Sequence, residues 1–420
     1  MKKTCLLTLL GCTLAAAPVM AANYDLWITG STAFRPNVFA ACQKIFDGGA
    51  PANAINSSGA APGGGDNNWA MSGTCTNLGV TTGSDTLTIH GLFTGSVQGQ
   101  HSILNNDLLG FVGSATSSAI VSNYATVAFS DVFSKPTIVP LTSGFVEQPV
   151  AIQPFAFVKS TAPVGVSKIT GVSFQQIQSM IVPGTAPLSY FTGSLADTNV
   201  IYLLHRSLDS GTRVTTIQET KSSGVVKIRY WDNIGHGFTN AGTLGPALYG
   251  PGYTSGGNVR TALQGGDSAN QSIAYLSMAD AQTITTTNWS NILTYNGLYP
   301  VANWTPTNTP AGGSGQVGNG TATTNDYSNV TSGRYSFWAF ECLDYPTSTQ
   351  WTSQSGQNLN YSTQFTPLVN RMIATYSGTA LNGSIDYEIE LSKTIAPYAT
   401  AVRINDSAVA RSAVGGVISP

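Results

Sequence analysis

The sequence predicts an α/β protein divided into two lobes or domains. Three observations predict it. The chain has 420 residues, more than one ordinary hydrophobic core holds. Short apolar runs that read as strands alternate with segments whose apolar residues recur at helical spacing. The turns between them are built from glycine and small hydroxyl residues. Strands that alternate with helices imply largely parallel pairing.

The elements follow in order. Met1-Lys2-Lys3, the apolar run from Leu6 to Ala17 and the small residues Val19 and Ala21 read as a secretory signal peptide over 1–22, cleaved near Ala21. Leu9-Leu10-Gly11 before Cys12 offers a lipoprotein signal as the alternative, with an apolar core shorter than usual. Leu26 to Thr29 reads as a strand. After Gly30-Ser31-Thr32, the positions Phe34, Val38, Phe39, Ile45 and Phe46 follow helical spacing, with Pro36 in the first turn and Gly48 as the stop. Thr86 to Leu92 alternates as a strand and meets Thr94-Gly95-Ser96, with 97–106 as a helix. Val127 to Phe129 is a strand closed by Ser130-Asp131. Val150 to Val158 is another, Val172 to Ile181 reads as a helix, and Val200 to Leu204 is an apolar strand that leads into "HRSLDSGTR". Residues 48–74, 235–257 and 304–333, rich in Gly, Asn, Ser, Thr and Pro, read as surface loops or insertions.

Composition excludes several functions. With 18 Lys and Arg, a net charge of −2 and no basic stripe, the chain lacks the clustered positive charge that a nucleic-acid backbone demands. No run beyond the signal approaches the length of a membrane span. The four histidines show no metal-ligand spacing, and Gly-x-Ser-x-Gly and His-Glu-x-x-His are missing, so neither a metal nor a hydrolase is expected. Cys42 and Cys75 are expected either to bridge the Gly-rich excursion between them or to stand with Cys342 as three unpaired core thiols.

The strand ends carry the chemistry. Ligands of open α/β sheets bind where strands end and helices begin, and the first amides of a helix lack internal partners and carry partial positive charge. An anion suits such a place. Ser210-Gly211-Thr212 adds hydroxyl donors and close backbone approach, and Arg206 adds a planar fork for two oxygens. Asp131, from a different strand, is expected to accept a hydrogen bond from a protonated oxygen of the anion and to pair with Arg206 in its absence. An acceptor carboxylate favours hydrogenphosphate over sulfate, which carries no proton near neutral pH. Taken singly, Ser31-Thr32, Ser130-Asp131 and Ser210-Gly211-Thr212 are ordinary helix caps and turns.

In this order the passages resemble the periplasmic phosphate-binding proteins of ABC importers. Gly30-Ser31-Thr32, Thr94-Gly95-Ser96, Phe129-Ser130-Asp131-Val132 and Arg206-Ser207-Leu208-Asp209-Ser210-Gly211-Thr212-Arg213 are similar to that family's ligand loops, the last to its Arg-x-x-x-Ser-Gly-Thr-Arg signature. "SGGNVRTALQGGDSANQSIAYLSMADA" over 255–281 resembles its Gly-Asn-x-Val helix and the strand after it, and 166–184 a further segment. The resemblance implies a two-lobed type 2 binding-protein fold with a mixed sheet in each lobe and a hinged cleft. Lobe I would comprise 23–150 plus 272–420, and lobe II 151–271. It implies an exported, monomeric, non-enzymatic protein, periplasmic or extracellular, that needs no cofactor and hands phosphate or a related oxyanion to a permease in the inner membrane. The ligand contacts it implies are Ser31, Thr32, Ala33, Ser96, Asp131, Arg206, Ser210, Gly211 and Thr212. Thr94, Gln98 and His101 compete with Ser96, and Arg35 departs from the pattern, facing either the ligand or solvent. A surface or adhesive protein that keeps the fold without transport is the alternative function, and its mark would be wide separation of Arg206, Asp131 and Thr32.

Overall fold

The computed structural model describes residues 21–134, 143–161, 164–222, 252–264, 271–284, 291–302, 327–351 and 356–373, and the backbone of 410–411 and 418–419. The signal peptide, up to residue 20, lies outside them, as do most of 235–257 and of 304–333. Among the described residues no helix is long and apolar enough to cross a membrane.

The strands are β1 (Asn23–Gly30), β2 (Asn53–Asn56), β3 (Asn68–Gly73), β4 (Thr86–Leu92), β5 (Leu108–Ser114), β6 (Ser117–Tyr124), β7 (Val127–Ser130), β8 (Phe145–Lys159), β9 (Gly171–Val172), β10 (Thr185–Pro187), β11 (Val200–Leu204), β12 (Gln271–Ser277), β13 (Thr294–Tyr295) and β14 (Trp338–Pro346), with a short pair at 410–411 and 418–419. Ten of them form one mixed sheet in the order β10-β11-β12-β8-β14-β7-β1-β4-β3-β2. The chain is therefore α/β, as its alternating pattern predicts. Within this sheet parallel pairing is confined to β4-β1-β7 and β11-β12, while β8 and β14 run antiparallel between these blocks. The long strand β8 pairs with β14 through residues 145–154 and with β12 through 155–159, so it belongs to both blocks.

Helices follow the parallel strands: α1 (Arg35–Gln43) after β1, α2 (Ser96–Asn105) after β4, then α3 (Phe174–Ile181), α4 (Ser189–Thr192), α5 (Gly211–Glu219) after β11, α6 (Gly256–Gln264) and α7 (Met278–Ala281) after β12. One core packs Ile28, Phe34, Val38, Trp69, Ile89 and Phe129 around β1 and β4. A second packs Phe157, Ile177, Leu203, Leu263 and Ile273 around β11 and β12. Gly30 holds the end of β1 against β7. Its φ of +115° suits glycine, and a Cβ there would stand 2.0 Å from the Phe129 carbonyl oxygen.

Four expectations need correction. The first helix stops at Gln43, and Gly48, at φ 75°, shapes a separate turn beyond it. The stretch 48–74 is not a loop throughout, because β2 and β3 form an antiparallel hairpin on the sheet edge in which Trp69 and Met71 are buried. Val172 belongs to a short strand, and α3 begins at Phe174. There Ser173 caps the helix, its hydroxyl accepting from Gln176 N while Gln176 Oε1 accepts from Ser173 N. Finally, of the two expectations for the cysteines the bridge is the one corrected: Cys42, Cys75 and Cys342 are three unpaired, buried thiols. Cys75 Sγ instead donates to the Ile45 carbonyl at 3.3 Å, and burial pushes its thiol up to about 12.

Candidate functional site

The ends of β1, β4, β7 and β11 meet at one place. In β4-β1-β7 the parallel register brings Gly30 level with Phe129, so the following residues, Ser31 and Ser130-Asp131, emerge side by side. Ser31 N donates to Phe129 O at 2.8 Å, and Gly95 N to Gly30 O at 2.9 Å. Across the gap, Val97 N in the first turn of α2 donates to Asp209 O at 3.2 Å. This bond joins the β4 turn to the β11 turn.

Arg206 is the cation of the site. It is 3% exposed, and burial lowers its pKa from the ordinary arginine value, opposed by Asp280, Tyr275 and Asp131. The guanidinium still stays charged in water's ordinary pH range. Its Nη2 donates to Thr32 Oγ1 at 3.1 Å and to Thr254 O at 3.3 Å, and its Nε to Tyr253 O at 3.1 Å. Thr32 and Arg206 thus touch although they follow strands from different parts of the sheet. The backbone of 206–207 is laced to Tyr253, with Ser207 N donating to Tyr253 O at 3.0 Å.

Asp131 is the opposing acceptor, 1% exposed. Its Oδ1 accepts from Ser96 Oγ at 2.5 Å, and its backbone oxygen from Thr215 Oγ1 of α5 at 3.4 Å. Oδ2 is buried and makes no hydrogen bond of normal geometry with a described residue. Burial pushes the carboxyl up to about 6, against the pull of the Ser96 hydroxyl, the Arg206 charge and the Thr212 hydroxyl. At neutral pH it is therefore mostly ionised. Gly211 opens α5 directly over this carboxyl: a Cβ there would stand 1.4 Å from Oδ1. Ser210 caps the same helix, its Oγ accepting from Arg213 N at 3.3 Å.

All nine residues named from the sequence are buried in this region. Ser31, whose Oγ accepts from Phe34 N at 3.2 Å, starts the first turn; Ala33, 2% exposed, completes it. Ser96 is the residue that bonds to Asp131; of its competitors Gln98 bonds to Ser102 on its own helix, and Thr94 Oγ1 is buried without a hydrogen bond of normal geometry to a described residue. Two expectations are corrected. No ion pair within 4 Å joins Asp131 to Arg206, because the Arg206 fork is taken by Thr32 and two carbonyls while Oδ1 is taken by Ser96. Arg35 does not point to solvent. It is 4% exposed, with Nη1 donating to Asn67 Oδ1 at 2.5 Å and Nη2 3.6 Å from Asp280 Oδ1.

Sequence reasoning missed Tyr253 and Thr254, whose carbonyls serve through the backbone and so leave no residue-type signal. It also missed Asp280, an acid in the stretch "LSMADA", and Glu341, an acid inside the apolar run "FWAFECL". His205, five residues before Ser210, is no base for it. Burial and the Arg213 charge lower His205 to about 3, and its Nδ1 meets the Tyr275 hydroxyl at 3.2 Å.

No protein-family model and no curated protein matches the chain. Among solved structures it is similar to one described as a phosphate ABC transporter substrate-binding protein with bound phosphate, from Clostridium perfringens. The identity is 14% over 78% of this chain and 90% of that one, with a TM-score of 0.42. A phosphate-binding protein from Stenotrophomonas maltophilia shares 14% identity over 78% and 79% of the two chains, with a TM-score of 0.40. An ABC-type phosphate transport receptor from Vibrio cholerae shares 12% over 77% and 88%, with a TM-score of 0.37.

Proposed function

We propose that the chain is an exported solute-binding protein that captures phosphate between two lobes, does no chemistry on it and delivers it to an ABC permease. The observation that carries the reading is the pairing of Arg206 with Thr32 beside a buried carboxylate whose Oδ2 makes no hydrogen bond of normal geometry with a described residue. Donors alone attract any oxyanion. A carboxylate among them selects one that brings a proton, because two facing acceptors with no proton between them cost a few kcal/mol. Amides at the start of α5 and the hydroxyls of Thr32, Ser210 and Thr212 complete the donor set.

In this reading lobe I is built on β7-β1-β4-β3-β2 and lobe II on β10-β11-β12, with β8 and β14 between them as the shared strands. In this reading the first crossing lies within β8, and the return, expected at residue 272, is moved to after β12 because β12 pairs with both β11 and the far end of β8. The ligand would favour the closed arrangement through contacts made fully only there. The Val97–Asp209 and Arg206–Thr32 bonds are of that kind. Convergence of Arg206 and Thr32 also runs against the adhesive alternative, which needed them far apart. Calorimetric titration of phosphate against sulfate tests the proposal. Heat and saturation with phosphate, and much weaker binding of sulfate, are expected; equal affinity for both would remove the role given to Asp131.

A further inference from the structure

Glu341 lies on β14, which runs between β7 and β8, and it is fully buried. The antiparallel register ends with Cys342 opposite Ser130, so Glu341, the residue before Cys342, and Asp131, the residue after Ser130, both lie just past that last pair. The pairing of β14 with β8 also shifts register between Glu341 and Cys342, a kind of irregularity that re-aims side chains. Neither Glu341 oxygen makes a hydrogen bond of normal geometry with a described residue.

The groups near enough to act on the Glu341 carboxyl are Asp131 after β7, Asp344 on its own strand and the Ser31 hydroxyl from the turn after β1. On β8, Ala151 stands across from it. None of these is a cation. Burial, Asp131 and Asp344 push the carboxyl well above the usual carboxylate range, and only the Ser31 hydroxyl pulls it back. Two carboxyls therefore adjoin the anion cradle in environments that separate their protonation states.

We propose that Glu341 is a positioning residue of the anion site, a buried carboxyl next to Asp131 and Ser31 whose ionisation sets an alkaline ceiling on oxyanion binding. The inference rests on the phosphate reading and adds a second carboxyl to it. Asp131, ionised, accepts a hydrogen bond from the protonated oxygen of the ligand. Glu341, protonated, avoids adding a second negative charge beside the bound anion. When Glu341 ionises, that charge appears next to both Asp131 and the ligand, and affinity falls.

The test is calorimetric titration of phosphate into the full chain and into its Glu341→Gln variant from neutral to alkaline pH. Protonation of phosphate itself is common to both proteins and cancels in the comparison. Relative to the variant, wild-type affinity is expected to fall by about tenfold per pH unit once Glu341 ionises. Parallel profiles overturn the inference. Glu341→Met, equally unable to ionise and suited to dry surroundings, serves if the Gln variant does not fold. A second readout is the phosphate-induced infrared difference spectrum at neutral pH, in which the carbonyl band of a protonated carboxylic acid should shift in the wild type and vanish in the variant. A spectrum without that band also overturns it. Wild-type protein that takes up no phosphate at any pH fails the phosphate reading, a result distinct from binding with parallel profiles.

Discussion

The two sides of the site differ in what they offer an anion. The side that follows β11 is made of donors: Arg206, the first amides of α5 and the Thr212 hydroxyl. The side that follows β1, β4 and β7 mixes donors with the acceptor Asp131, held in place by Ser96 and crowded by Gly211. Donors supply attraction for any oxyanion, whereas a fixed acceptor supplies choice. Affinity and selectivity are thus separable, and each can be broken alone.

The largest effect is expected on the donor side. Arg206→Ala removes the one buried cation that joins Thr32 to the β11 turn, and about 2–5 kcal/mol of binding, roughly 30- to 5,000-fold, should go with it. Calorimetry with phosphate checks this, with circular dichroism to show that the variant folds. Gly211→Ala comes next. Its methyl would overlap Asp131 Oδ1, so the carboxyl or α5 must shift, at a cost of about 1–3 kcal/mol in stability and a loss of phosphate affinity readable in the same titration. Near-wild-type affinity in this variant would mean that Asp131 has room to move.

On the acceptor side, Asp131→Asn should lower phosphate affinity and raise that for sulfate, so that their ratio shrinks by about 10- to 100-fold. The same change should stabilise the ligand-free protein. The folded carboxyl sits at about 6, above its unfolded value of 3.8, so it favours folding less as pH rises through that interval and is unfavourable at neutral pH. Relief of about 1–3 kcal/mol at neutral pH, gone in acid, is expected from thermal unfolding followed against pH. The smallest effect concerns the unmodified protein. Below about 6 Asp131 carries a proton and becomes a donor, so sulfate binding should strengthen as pH falls through that value, by at most tenfold per unit. A flat sulfate profile there would detach Asp131 from the anion.

Most of the site was legible in the sequence because its residues sit at strand ends, where local patterns are strong. Arg206, Ser210, Gly211 and Thr212 lie within seven residues, and Ser31, Ser96 and Asp131 each follow a readable strand. What escaped depends on distant pairing. Arg35 is decided by Asn67 in a Gly- and Asn-rich stretch and by Asp280 far along the chain. That stretch read as loop because β2 is "NAIN", with little apolar content, and only the pairing of β3 with β4 makes it a strand. Glu341 comes near Asp131 only because β14 pairs with β7. Two acids in an apolar strand, Glu341 and Asp344, were the available signal.

The central claim is that one oxyanion bridges both sides. A crystal structure of the protein with phosphate tests it directly. One phosphate oxygen should lie within about 3 Å of the Arg206 guanidinium and another, protonated, within about 3 Å of Asp131 Oδ2. Phosphate bound by one side alone, or away from both, would contradict the account.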